Sequence, residues 1–300
     1  MKGSDILSTY KIVSDTASDI FPSVIDYATM PRVPFYVTFD KEHYQKEMAE
    51  LSVDDFYNHI AKDKVFPKTS CPTITDYIDV FEPILNGGKD ILCFCISSFF
   101  SASYQSAVNA AEMLKEKFPE RRIEVIDSAQ ATAGMGLVVY QSYLMLEAGY
   151  TLDENISVSE QIKRDTVINF TVGSLSFLQN GGRIGKATAL AGTLFNVKPI
   201  ICMRDGELFP IENVRGIKKA VKAVIKKTDD EIDGNESDYL ISMFYADSRA
   251  DIMDTIAEHY SDSKYSFSDN LFRVGATIGA HTGPDVIALA YSKKYNLYTK

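Results

Sequence analysis

Short apolar runs alternate with longer amphipathic segments through the first half of the chain, and this pattern predicts strands and helices in turn. Asp90–Ile96 is the clearest run, because it is apolar at nearly every position, as in a strand covered on both faces. The predicted strands are Lys11–Ser14, Val33–Thr38, Tyr44–Met48, Asp90–Ile96 and Ile123–Ile126. The predicted helices are a segment after Phe21, Ser52–Lys62, Thr73–Leu85, Ser101–Lys117 and Ala129–Ala148. Such alternation is typical of a doubly wound α/β layer with a parallel sheet, in which ligands bind beyond the carboxyl ends of the strands.

A different pattern begins after Tyr150, where one helix is followed by several strands. The turn Arg204-Asp205-Gly206-Glu207 separates two apolar runs by a distance that favours a hairpin and hence a mixed sheet. The predicted strands are Val167–Val172, Pro199–Arg204, Leu208–Glu212, Tyr239–Tyr245, Ser266–Arg273 and Val286–Tyr291.

The length of the chain also favours two units, since 300 residues exceed the size at which single cores stop growing. We predict an α/β/α parallel-sheet domain over residues 1–155 and an α/β mixed-sheet domain over residues 156–300.

Composition narrows the class of protein. A hydrophobic content of 45% and a charged content of 24% are those of a globular chain. The net charge of −10 opposes binding to a nucleic-acid backbone, so no nucleic-acid partner is expected. The four cysteines lack the spacing of a disulfide framework, and no apolar run is long enough for a signal or a membrane span. We expect a cytoplasmic protein.

Three polar loops in the first half offer hydroxyls and backbone N–H groups near helix starts. They are Asp15-Thr16-Ala17-Ser18-Asp19, Lys68-Thr69-Ser70-Cys71-Pro72 and Ser97-Ser98-Phe99-Phe100-Ser101. Such loops can hold an anionic head group, and they can equally be ordinary helix caps. The residues alone leave both interpretations open.

Candidate chemistry in the second half centres on arginines and one histidine. Ser174–Lys186 contains Gly181-Gly182-Arg183 but has no phosphate-loop spacing, so no nucleotide cofactor is expected. Arg183 and Arg215, with Lys218-Lys219, form either a local basic patch or ordinary solvated charges. His281 lies in a turn-rich segment after an apolar strand, where an imidazole can be functional or structural. The other histidines lack metal-ligand spacing, so no metal is expected.

In their order along the chain these segments resemble the DegV family of fatty-acid-binding proteins. The matching stretches are IVSDTASD, TSCPT, ISSFFSASYQSA, SLSFLQNGGRIGKATALAGTLFNVKPI, ENVRGIKKA and GAHTGPD. The resemblance implies the same two α/β domains with a long apolar tunnel between them for one fatty acid, such as palmitate, stearate or oleate. It also implies that the acid's carboxylate is bound by Thr69 and Ser70, Ser97 and Ser98, and His281.

The resemblance further implies a partner. Some members present their fatty acid to the ATP-binding subunit of a fatty acid kinase, which forms an acyl phosphate, and Arg183 and Arg215 then belong to the surface for that handover. The protein would be a non-catalytic carrier in phospholipid metabolism, with transient membrane contact and no cofactor. Two alternatives stay open: a Ser/His acyl-ester hydrolase using Ser97 or Ser98 with His281, and a lipid sensor without a kinase partner. The hydrolase lacks a Gly-x-Ser-x-Gly motif.

Overall fold

The computed structural model describes residues 9–63, 65–190, 196–246, 250–268 and 272–299. The first half of the chain has strands β1 (Tyr10–Asp15), β2 (Arg32–Val33), β3 (Tyr36–Thr38), β4 (Gln45–Lys46), β5 (Lys68–Ser70), β6 (Asp90–Cys95) and β7 (Ile123–Asp127). Its helices are α1 (Val53–Asp63), α2 (Ile74–Asn86), α3 (Ser103–Lys115) and α4 (Thr132–Glu147). Strands β2, β1, β6 and β7 form, in that spatial order, a parallel sheet. The predicted parallel layer is confirmed.

The second half builds a mixed sheet in the order β10-β9-β8-β13-β11-β12. Its strands are β8 (Val167–Thr171), β9 (Val197–Arg204), β10 (Glu207–Arg215), β11 (Tyr239–Tyr245), β12 (Ser266–Ser268) and β13 (Ile287–Lys293). Its helices are α5 (Leu152–Asp165), α6 (Ser176–Gly181), α7 (Ile217–Ile232), α8 (Ala250–His259) and α9 (Ala276–Thr282). The neighbours are antiparallel except β11 and β12, and β9 and β10 form the predicted hairpin.

One apolar core joins the two halves. It contains Ile12 and Phe94 from the parallel sheet together with Ile168 and Phe244 from the mixed sheet. Helix α4 lies in this core and is apolar over most of its surface, because it packs against strands of both sheets. Gly136 lets α4 approach Phe272 closely, since a Cβ there would lie 2.3 Å from the Phe272 ring.

Several local predictions are wrong. The segment after Phe21 forms turns instead of a helix, because Asp15 and Asp19 have their side chains buried in tertiary hydrogen bonds. Val33–Thr38 is divided between β2 and β3, which belong to different sheets. The segment 279–284 was predicted as turns, yet its first residues complete helix α9.

Two predicted boundaries concern the strand Ser266–Arg273 and the domain division after residue 155. Of the predicted strand Ser266–Arg273, β12 covers Ser266–Ser268, and residues 269–271 lie outside the described residues. The domain division after residue 155 stays a prediction; residue 155 lies within helix α5.

None of the helices in the described ranges has an apolar stretch of the length that a bilayer crossing requires.

The carboxyl end of β1 is joined to its neighbours through Asp15. Its buried carboxylate accepts hydrogen bonds from the backbone N–H of Ile96 at 3.0 Å, after β6, and from the Ser103 hydroxyl at 2.8 Å, at the start of α3. Burial, which outweighs these hydrogen bonds, raises the pKa of Asp15 from 3.8 to about 7. The folded protein therefore binds a proton at Asp15 more tightly than the unfolded chain does.

This pKa predicts a pH dependence of stability that Asp15→Asn should remove. The contribution of Asp15 to the free energy of unfolding is complete below pH 3.8 and is lost as the pH rises through about 7. The wild-type protein should lose at most about 4 kcal/mol relative to the variant across that window. Urea unfolding of both proteins at intervals from pH 4 to 8 measures this difference. The effects of titrating groups that both proteins share cancel when the two unfolding free energies are subtracted. Parallel curves for the two proteins would contradict it.

Candidate functional site

A cavity of about 320 Å³ lies between the two sheets, at the carboxyl ends of the parallel strands. Its volume is at the lower end of the range for small-molecule sites. Most of the lining is apolar, and the first and second halves both contribute to it. The apolar lining residues are Phe35, Ile96, Phe100, Ala102, Ala131, Ile168, Phe170, Leu178, Met203, Leu208, Phe244, Ile278 and Val286. The shape and lining suit a largely apolar ligand.

One part of the lining is polar and contains Thr69, Ser70 and His281. Thr69 is on β5 and His281 is in the last turn of α9, more than two hundred positions later in the chain. Thr69 Oγ1 and His281 Nε2 lie 2.9 Å apart and form a hydrogen bond across the two halves. If Nε2 carries the proton, His281 donates to Thr69, and the Thr69 hydroxyl remains free to donate to a ligand oxygen.

The imidazole of His281 is neutral at pH 7. Burial, followed by the nearby positive charges of Arg183 and Lys68, lowers its pKa from 6.5 to about 4. Its buried Nδ1 atom has no hydrogen-bond partner in the part of the chain that the structure describes. A Cβ on Gly181 would lie 2.1 Å from that Nδ1, so the glycine at the end of α6 provides the space for the ring.

The other two predicted hydroxyls lie apart from this group. The Ser97 hydroxyl is buried, donates to the Gly206 carbonyl at 3.3 Å and accepts from the Phe99 N–H. Ser98 is exposed, and its N–H donates to Asp127. Among the described residues that line the cavity, the loop after β6 contributes Ile96, Phe100, Ser101 and Ala102 instead. Contact of Ser97 and Ser98 with a ligand carboxylate stays a prediction.

The two predicted arginines occupy different places. Arg183 lines the cavity and donates to the carbonyls of Phe100 at 3.0 Å and Gly181 at 2.6 Å. It thereby joins the loop after β6 to the end of α6. Arg215 is the exposed last residue of β10, outside the cavity lining in the described chain. A single patch containing both stays a prediction.

Of the threonines of the lining that the sequence analysis missed, two donate hydrogen bonds to buried carboxylates. Thr132 begins α4 and donates to the buried Asp19 carboxylate at 2.5 Å, and Thr277 in α9 donates to the buried Glu47 carboxylate at 2.6 Å. The spacing of four residues between Thr277 and His281 was a usable signal, since it puts both on one face of a helix. Within the described ranges no cluster of histidine, cysteine and acidic side chains is arranged to bind a metal.

The fold and cavity define an α/β protein with a largely apolar cavity between two sheets. Residues 9–294 match the family described as "uncharacterised protein, DegV family". The chain therefore belongs to the DegV family. A DegV domain-containing protein of Clostridium perfringens is 31% identical over 288 residues, which are 95% of this chain and 98% of that protein.

Solved structures of relatives have the same architecture. A stearic-acid-binding protein from Eubacterium ventriosum has a TM-score of 0.89 and 32% identity, covering 96% of this chain and 100% of that one. A DegV family protein from Thermus thermophilus, solved for its fatty acid binding, has a TM-score of 0.84 and 28% identity, covering 95% and 99%. The predicted fold, with a parallel sheet followed by a mixed sheet, is confirmed.

The surroundings of His281 predict how its pKa responds to a ligand. Without ligand it should titrate near pH 4. A carboxylate bound in the polar part of the cavity favours the imidazolium form, so the pKa should rise towards 6.5. Imidazole NMR titration with and without stearate measures both values, with exposed His43 as the resonance that should not respond to the ligand. A pKa of His281 that falls or stays constant on binding would contradict the assignment.

Proposed function

We propose that this protein binds one long-chain fatty acid in the cavity, with the carboxylate at Thr69, Ser70 and His281. The observation that carries the proposal is the hydrogen-bonded Thr69–His281 pair at one part of an otherwise apolar cavity. Burying a carboxylate is costly unless its oxygens are hydrogen-bonded, and two hydroxyls with a neutral imidazole can supply those donors. The relatives that bind fatty acids share this fold over nearly the whole chain.

The acyl chain supplies most of the affinity. Each buried methylene contributes roughly 0.8 kcal/mol, so a chain of sixteen to eighteen carbons gains on the order of 10 kcal/mol before entropy is subtracted. Polar contacts of about 1 kcal/mol each are small beside that gain. The polar residues therefore fix the direction in which the acid lies, and the apolar lining sets how tightly it binds.

Mass spectrometry of lipid extracted from the purified protein tests the proposal, and a stoichiometric fatty acid is expected. Thr69→Val should weaken the binding of added oleate roughly tenfold, because the carboxylate and His281 each lose a hydrogen-bond partner. Thr228→Val is the matched control, since Thr228 is buried on α7, is bonded to Asn169 and lies outside the described cavity lining. Protein that is empty and fails to bind added oleate or palmitate would overturn the proposed function.

The finer proposal is that the bound acid is presented to the ATP-binding subunit of a separate fatty acid kinase. Arg183 supports it, because its guanidinium lies on the cavity lining, where it would favour an anionic phosphoryl group. Arg215 is exposed on β10 and is available to a partner. No step of phosphoryl transfer is assigned to residues of this chain.

Replacement of the arginines separates handover from binding. Arg183→Gln and Arg215→Gln should each reduce partner-dependent acyl phosphate formation at least tenfold, since each removes a charge-assisted contact. Arg215→Gln, outside the cavity lining, should leave oleate affinity unchanged. Lys62→Gln, an equal loss of charge at the exposed end of α1, is the control for general electrostatics. If acyl phosphate formation is unchanged in both arginine variants, the proposed role of Arg183 and Arg215 in presenting the acid to the kinase is wrong.

The hydrolase and sensor alternatives have less support. A Ser–His hydrolase needs its serine within hydrogen-bonding distance of the histidine, and the observed side-chain partner of His281 is Thr69. Ser97 instead donates to a backbone carbonyl. A lipid sensor would use the same binding site as the carrier, so the identity of a co-purifying partner is what separates those two functions.

A further inference from the structure

Helix α9 is held at its start by three side chains from the first half of the chain. The Tyr57 hydroxyl donates to the Val274 carbonyl at 3.0 Å, just before the helix. Asp19 accepts from the Gly275 N–H at 3.0 Å, and Glu47 accepts from the Thr277 N–H at 2.9 Å. These contacts join residues separated by more than two hundred positions in sequence. The start of α9 is therefore placed by the first half of the chain.

Asp19 and Glu47 form a buried acid pair at this point. A Cβ on Gly275 would lie 2.6 Å from an oxygen of each carboxylate, so a glycine is needed there for space. The acid pair also accepts hydrogen bonds from hydroxyl groups. Thr132 donates to Asp19, and Thr277 and Thr16 donate to Glu47. In the described part of the chain no lysine, arginine or histidine forms an ion pair with either carboxylate.

Burying two carboxyl groups without a cation beside them is unfavourable for their charged forms, and the pKa values of both groups are raised. Burial, with repulsion from Glu47 second, raises the pKa of Asp19 well above 3.8. Burial also raises the pKa of Glu47 above 4.5, against the hydrogen bonds that it accepts. Asp15 is the further carboxylate that raises the pKa of Asp19. Groups retained at such a cost need a structural or functional reason.

The geometry of α9 connects the acid pair to the polar part of the cavity. Thr277 and His281 are four residues apart, so they lie one turn apart on the same helix face, and both line the cavity. The turn between them is rigidly packed, because a Cβ on Gly279 would lie 2.7 Å from the Phe56 ring and from the Tyr57 hydroxyl. A shift of Thr277 would therefore move the imidazole of His281 with it.

We propose that Asp19 and Glu47 are positioning residues for ligand binding, which hold helix α9 so that His281 meets Thr69 at the cavity. This inference rests on the proposed function for its effect on affinity, but its structural part concerns the ligand-free protein. Neither acid is among the described residues that line the cavity. The acid pair acts through Gly275 and Thr277 on an imidazole one helical turn away.

The test compares Glu47→Ala with Glu47→Gln. The alanine variant loses both bonds to Thr277, whereas glutamine keeps an oxygen for the Thr277 N–H and an amide for its hydroxyl. In ligand-free Glu47→Ala, the imidazole nitrogen resonances of His281 should shift, and its pKa should move from about 4 towards 6.5 as the ring leaves its pocket. Oleate affinity should fall roughly tenfold, the loss expected for one hydrogen bond to a charged group. Glu47→Gln should restore both.

Glu231→Ala controls for general destabilisation. Glu231 is a partly buried carboxylate that accepts from Asn169 and Tyr291, but it lies on α7, outside the described cavity lining. The two alanine variants are compared under conditions that give them the same free energy of unfolding. There, Glu231→Ala should leave the His281 resonances unchanged. If Glu47→Ala leaves His281 and affinity unchanged, or if Glu231→Ala alters His281 equally, the positioning role is overturned. Failure of the wild-type protein to bind oleate would instead refute the proposed function, because the ligand-free His281 spectra do not depend on it.

Discussion

The site depends on buried carboxylates from the first half of the chain that accept hydrogen bonds from the second half. Asp19 and Glu47 accept backbone N–H bonds from Gly275 and Thr277, and no cation offsets them within the described ranges. The hydrogen bonds that each carboxyl group accepts offset part of the hydration that it loses on burial. The geometry is consequently strict, since a carboxylate that lost its donors would remain buried and unsatisfied. The two halves are thus fixed relative to each other where the cavity forms.

This constraint explains why the cavity lies where it does. In open α/β sheets the carboxyl ends of parallel strands leave a crevice. Here α6 and α9 line part of that crevice. Lys68 Nζ donates to the Asn180 carbonyl at 2.6 Å, and Arg183 donates to the Phe100 carbonyl, so α6 is tied to the first half as α9 is. The cavity wall is therefore a set of contacts between the halves, and opening it requires these bonds to separate.

Strong periodic elements were predictable from sequence, and tertiary contacts were not. Asp90–Ile96 was recognised as a buried strand because its apolar run needs no knowledge of its neighbours. The segment after Phe21 was misread because the polar Asp15–Asp19 stretch has the composition of a helix cap, whereas its carboxylates serve distant amides. Lys68–Ser70 was read as a loop, yet it pairs with β3 in a small antiparallel sheet that includes β4. A strand of three polar residues has no periodic signal.

For the site, chemistry in the sequence indicated which residue types matter, and geometry decided which of them meet. Thr69 and His281 were expected together on family resemblance, and they lie in one hydrogen bond. Glu47 gave no signal, because a lone glutamate looks like a surface residue until a fold buries it. The neutral state of His281 follows from the same burial. Under the proposed function, a neutral imidazole would hydrogen-bond the acid's carboxylate without the strong attraction of a full cation.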